Sequence, residues 1–150
     1  MLIKNAAVLD ESFRLSKKEI LIRDGKIAAV GVGLPQDGEE VFDAAGLTAV
    51  PGFVDVHIHG CDGEDASDGT VEAIRTMGRF LLRHGVTSFC PTTMTADIAD
   101  IEAALANMRS YKTNGARLAG AHLEGPFLSS KAAGAHPLDK LQNPDKNNTA

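Results

Sequence analysis

The sequence predicts an α/β chain in which a small β-rich unit precedes a run of βαβ units on parallel strands. Three observations lead there. Short apolar runs separated by turn residues fill the first fifty positions. The pattern changes at Pro51, after which strand-like and helix-like segments alternate. The helix-like segments carry apolar residues at 3.6 spacing, and strands joined by helical crossovers lie parallel.

In residues 1–50, Leu2, Ile3, Ala6, Ala7 and Val8 form the first apolar run, and Ile20 to Ile22 the second. Asp24-Gly25 marks a tight turn, and Ile27 to Val30 reads as the returning strand of a hairpin. Gly31, Gly33, Pro35, Asp37 and Gly38 make a loop. Val41-Phe42 and Leu47 to Val50 complete a unit too small to be expected to fold alone.

From Pro51 onward, Phe53 to His59 reads as a strand that runs into a Gly-rich, acidic loop, Gly60 to Gly69. A helix follows, with Val71, Ile74, Met77 and Leu81 on one face and Phe80 at its margin. Asp68 or Thr70 is its N-cap, and Gly85 lies just past its end. Val86 to Pro91 is the next strand. A second helix spans about Asp97 to Tyr111, with Ile98, Ile101, Leu105 and Met108 inward. Leu118 to His122 begins a third strand, which stops at Gly125-Pro126. Ser129 to Ala150 is polar and reads as loop or disorder with no element of its own.

Composition narrows the function classes. The chain has 150 residues, a net charge of −5 and 43% hydrophobic residues. No Lys/Arg cluster suggests nucleic acid or an anionic membrane. No apolar run approaches the roughly 20 residues that span a bilayer, and Met1 to Asp10 does not read as a signal peptide. Cys61 and Cys90 are far apart and fit a reducing cytosol better than a disulfide scaffold. Dinucleotide, P-loop and serine-hydrolase signatures are missing.

The residues that could carry chemistry fall at C-terminal strand ends, where parallel α/β sheets place their sites. His57 and His59 are two apart on a strand, so both imidazoles project from one side, as two nitrogen ligands of a divalent ion must. An isolated His-x-His is as well explained by two solvent-facing histidines; the apolar strand before it and the acidic loop after it favour metal. Asp55, one step back, either orients a histidine or pairs with a neighbour. Glu124 ends another apolar strand, where a carboxylate is costly without a cation or strong donors. Alone it would read as a turn cap; aimed at the same end as the histidine pair, it reads as a third ligand. His122 reads as a packed, hydrogen-bonded core histidine and His84 as structural. His136 lies on a flexible loop that could close over a ligand. Asp62, Glu64, Asp65 and Asp68 read mostly as solvated charges or helix caps.

The segment Pro51-Gly52-Phe53-Val54-Asp55-Val56-His57-Ile58-His59-Gly60 resembles the first-strand signature of the amidohydrolase superfamily. His122-Leu123-Glu124-Gly125-Pro126-Phe127 resembles a motif of one branch, the N-acetylglucosamine-6-phosphate deacetylases, as do Pro91-Thr92-Thr93 and the Lys131 to His136 stretch. The first motif is shared with dihydroorotases, hydantoinases and many deaminases; the second is much narrower. The resemblance implies that residues 1–50 are the N-terminal part of a β-sandwich domain. It implies that residues 51–150 are the first three β/α units of a TIM-like (β/α)₈ metal-dependent hydrolase barrel, which needs about 250 residues. It also implies His57, His59 and Glu124 as ligands of one or two divalent ions such as zinc, iron or manganese, and a sugar contact at Ala135 and His136. The implied reaction is deacetylation of N-acetylglucosamine 6-phosphate to glucosamine 6-phosphate and acetate. The implied partner is a small amino-sugar phosphate, with no nucleic acid and no membrane, in a cytoplasmic enzyme that is a homo-oligomer at full length.

Two later histidine ligands and a strand-end aspartate acid/base, which the family needs, do not occur in residues 1–150, so the catalytic base stays unassigned. The chain as given then reads as an incomplete piece, inactive by itself. The alternatives are another amidohydrolase acting on a cyclic amide, or a non-catalytic truncated product.

Overall fold

A computed structural model describes residues 1–112 and 114–144, which form two units divided after Pro51. In the first unit, β1 (Leu2–Leu9) pairs antiparallel with β2 (Leu15–Arg23), which pairs antiparallel with β3 (Lys26–Gly31). Asp24 (φ 51°) and Gly25 (φ 69°) turn the second hairpin. Both take the left-handed conformation that a two-residue loop needs to match strand twist. Two short strands, β4 (Val41–Asp43) and β5 (Thr48–Ala49), run parallel to β1 along its other edge. Asn5, at φ 63°, breaks the β1 register between their footholds and donates from Nδ2 to Asp43 Oδ1 at 2.8 Å. Ala6, Val8, Ile20 and Ala44 form the core of this unit.

In the second unit, β6 (Phe53–Ile58) is followed by a two-residue-per-strand hairpin, β7 (Gly60–Cys61) and β8 (Glu64–Asp65). This corrects the expectation of a plain loop over Gly60 to Gly69. Asp62 (φ 56°) and Gly63 (φ 83°) form its turn, with the same chemistry as Asp24-Gly25. A 3₁₀ turn, Ala66–Asp68, follows; Asp65 caps it and Asp68 bonds back to the Asp65 amide.

Helix α1 (Val71–Arg83) begins on Thr70, whose Oγ1 accepts from Ala73 N at 3.1 Å. It ends before Gly85, at φ 84°. It leads to β9 (Val86–Pro91), then α2 (Ile98–Arg109), then β10 (Arg117–Leu118). The sheet order is β10-β9-β6, all parallel. Ile74, Met77 and Leu81 of α1 and Ala104 and Met108 of α2 pack on Phe89 of β9, which is fully buried. Leu105 is half-buried beside them, and Ile98 is half-buried at the start of α2.

The third strand is shorter than the sequence predicts. After Leu118 the chain keeps contact with β9 through Ala119 N to Phe89 O and His122 N to Pro91 O, and through a single bridge between Thr92 and His122. Gly120 and the Gly125-Pro126 pair fall in this stretch, where glycine weakens a strand and proline lacks a donor. The following segment carries two single 3₁₀ turns, Ser130–Ala132 and Leu138–Lys140, where no element was expected; its positions 145–150 lie outside the described residues. No helix among the described residues is long and apolar enough to cross a membrane.

Candidate metal centre

The end of β6 is fixed by a threonine. Thr92 is fully buried; its backbone N donates to Ile58 O at 2.8 Å and its Oγ1 accepts from Ile58 N at 3.1 Å. With Ile58 held in the ladder and packed on the core, His57 and His59 turn the other way. Their Nε2 atoms stand 3.2 Å apart. The Thr92–His122 bridge carries the chain to Glu124, whose Oε2 lies 3.3 Å from His57 Nε2 and 2.9 Å from His59 Nε2.

The donor chemistry of this group fits a divalent cation. His59 Nδ1 lies 3.1 Å from the Thr92 carbonyl, which can only accept, so Nδ1 carries the hydrogen and Nε2 of the neutral ring presents a lone pair. Facing that lone pair at 2.9 Å is a carboxylate oxygen, also an acceptor. Two acceptors at that distance repel unless a proton or a cation lies between them. Tetrahedral coordination at about 2.0 Å spaces its donors roughly 3.3 Å apart, and the three separations here are of that size. His57, His59 and Glu124 form the His/Cys/Asp/Glu group found among the described residues with all ligand atoms within 4.8 Å of one another.

His136 is not on a free loop. It is 9% exposed, its Nδ1 sits 2.7 Å from Thr95 Oγ1, and its Nε2 lies 3.3 Å from Glu124 Oε1. Burial pushes the Glu124 carboxyl up, but the His136 hydrogen bond and the nearby His57, His136 and His59 rings outweigh it and hold the group below its ordinary value. Ala135 beside it is exposed.

The other candidates lie outside the donor group. His122 Nδ1 meets the Val56 carbonyl at 3.1 Å, and its ring packs edge-on against His57 with centroids 4.6 Å apart. It braces His57. Asp55 turns back on the main chain and accepts from His57 N at 3.0 Å. His84 lies 2.8 Å from Phe80 O in the last turn of α1. Burial pushes the Cys61 thiol up, away from thiolate reactivity. Sequence reasoning did not find Thr95. No local signal marks it, because its partners lie 30 and 41 residues along the chain.

Residues 48–147 match the model of the amidohydrolase family. The chain belongs to the amidohydrolase family. Among amidohydrolases, it is 35% identical over 148 residues to an N-acetylglucosamine-6-phosphate deacetylase of Lysinibacillus sphaericus, covering 97% of this chain and 38% of that protein. It is 37% identical over 153 residues to the enzyme so named from Bacillus subtilis (strain 168), covering 97% of this chain and 39% of the relative. The solved structure of N-acetylglucosamine-6-phosphate deacetylase from Pasteurella multocida superposes with a TM-score of 0.88 at 26% identity, over 97% of this chain and 39% of that one. The chain thus spans about two fifths of the length of these relatives. Its fold class is that of the opening strands of an amidohydrolase TIM-like (β/α)₈ barrel preceded by part of a small β-sandwich, as the sequence motifs imply.

Proposed function

We propose that the protein is a metal-dependent deacetylase of N-acetylglucosamine 6-phosphate, forming glucosamine 6-phosphate and acetate. The observation that carries the reading is the meeting of His57 Nε2, His59 Nε2 and Glu124 Oε2 within 3.3 Å of one another, at the end of β6 and just past the Thr92–His122 bridge. The substrate class is supported by the names of the relatives that align with 97% of the chain.

In this reading residues 1–50 belong to the sandwich domain and residues 51–150 are the first three β/α units of the barrel. His57, His59 and Glu124 hold one or two divalent ions such as zinc, iron or manganese. A cation there supplies Lewis acidity toward the substrate amide and its attacking water. Thr92 sets the His59 tautomer and His122 braces His57, so the nitrogen donors are oriented before any substrate arrives. Ala135 and His136, on the turn beside Glu124, contact the amino sugar. The proton steps at the amide nitrogen require an acid/base that none of the described residues is assigned. The setting is cytoplasmic and the assembly a homo-oligomer. The net charge of −5 supports a small-molecule partner over a nucleic acid.

The test is acetate release from N-acetylglucosamine 6-phosphate by the purified full-length protein. Release should stop with a chelator and return with a divalent ion. No release with zinc, iron or manganese sinks the reading.

A further inference from the structure

Glu124 uses its two carboxylate oxygens differently. Oε2 faces His57 and His59, whereas Oε1 lies 3.3 Å from His136 Nε2. What decides which ring nitrogen of His136 can donate is Thr95, in the segment between β9 and α2 and 5% exposed. Its backbone N lies 3.3 Å from His136 Nδ1 and its Oγ1 lies 2.7 Å from the same atom. A backbone N–H only donates, so Nδ1 accepts. The hydrogen of the neutral ring then sits on Nε2, aimed at Glu124 Oε1. A second observation ties Thr95 to this spot. Gly125, next to Glu124, has φ +81°, and a Cβ there would run into the Thr95 side chain. The hydroxyl thus occupies space that only a glycine leaves free.

We propose that Thr95 is a positioning residue of the metal centre: it fixes His136 with its hydrogen on Nε2, and His136 in turn fixes Glu124 with Oε2 toward His57 and His59. The inference rests on the reading of that group as a metal site. It adds a residue that touches neither donor atoms nor substrate and acts through a hydrogen-bonded pair of side chains. Partners of this kind usually alter metal affinity about 10–100-fold when removed.

The experiment compares the full-length protein with Thr95→Val, which keeps the shape and removes the hydroxyl, and Thr95→Ser, which keeps the hydroxyl. Zinc affinity is read by competition with a chromophoric chelator, coordination by the visible absorption of the cobalt form, and the His136 tautomer by ¹⁵N imidazole NMR of the metal-free protein. The expected result is an Nε2–H tautomer in the wild type, and in Thr95→Val as well, because the backbone N–H of residue 95 still donates to Nδ1 while the hydroxyl that anchors the ring is gone. Zinc affinity should fall about 10–100-fold in Thr95→Val with an altered cobalt spectrum, and Thr95→Ser should restore both. Equal affinity and an unchanged cobalt spectrum in a folded Thr95→Val overturn the inference alone. An Nδ1–H tautomer in the wild type overturns it without any variant. A wild-type protein that binds neither ion overturns the metal reading and this inference together.

Discussion

His59 donates from Nδ1 to the backbone carbonyl of Thr92 at 3.1 Å, and this bond settles where the other ring nitrogen points. The acceptor is main chain, held by the strand ladder between β6 and β9, so the orientation of a candidate ligand is built into the sheet. Thr92 supplies the same end with a second clasp through Oγ1 and Ile58 N. The orientation of the His59 donor is thus a consequence of the pairing between β6 and the end of β9.

Removal of a donor is therefore expected to act on metal content directly. His59→Ala and Glu124→Ala should each lose zinc on dialysis, by more than the about 10–100-fold typical of outer partners. His122→Ala, which removes a brace and no donor, should keep its stoichiometry and bind more weakly. Metal analysis of the dialysed proteins checks this; full zinc in Glu124→Ala would contradict the assignment of Glu124.

Gly125→Ala should destabilise the second unit. The left-handed φ of +81° costs a residue with a Cβ about 1–2 kcal/mol. The new methyl also meets Thr95, and overpacking of this kind adds about 1–3 kcal/mol. Urea unfolding measures the loss, and zinc affinity should fall with it, because Thr95 must move. A change below half a kcal/mol would show that the segment relaxes freely.

The two helix starts should differ. Thr70 caps α1 through Oγ1 to Ala73 N, so Thr70→Ala should cost about 1 kcal/mol. Asp97 precedes α2 without a side-chain cap and instead pairs with Lys140 at the surface, where ion pairs contribute at most about 1 kcal/mol and often less. Asp97→Ala should therefore be the milder change in the same unfolding experiment; equal losses would mean that Asp97 acts as a cap in solution.

Most of the donor group was legible because it obeys strand periodicity. His57 and His59 share a side by alternation, and Glu124 follows a segment that runs toward the same end, although the strand itself stops at Leu118 and only the His122 bridge continues it. The hairpin at Asp62-Gly63 was legible too and was passed over, although Asp24-Gly25 carries the same signal; the strands beside it are two residues long and show no alternation. The burial of His136 was not legible. It follows from contacts to Thr95, 41 residues earlier, and to Glu124. Its neighbours are small or polar residues that look like a free loop. The short third strand likewise reflects tertiary geometry around glycines rather than a pattern in Leu118 to His122.

The first unit offers a pH test on a group outside the candidate donor set. Glu19 is held below its ordinary value of 4.5, first by the Leu34 amide donating to Oε2 at 2.7 Å; burial opposes this, and Lys4 at 3.3 Å adds to the lowering. Because the folded-state value is depressed, the unfolded chain binds more protons between that value and 4.5, and stability rises with pH across this window. The contribution is fully present above 4.5 and is lost as pH falls through the folded-state value. Glu19→Gln keeps an acceptor for Leu34 but carries no titrating charge. Urea midpoints from pH 6 down to pH 3 should therefore fall more steeply in the wild type than in Glu19→Gln, with the two curves converging in acid. Parallel curves over the whole range would mean that the Leu34 bond does not distinguish carboxylate from neutral acceptor.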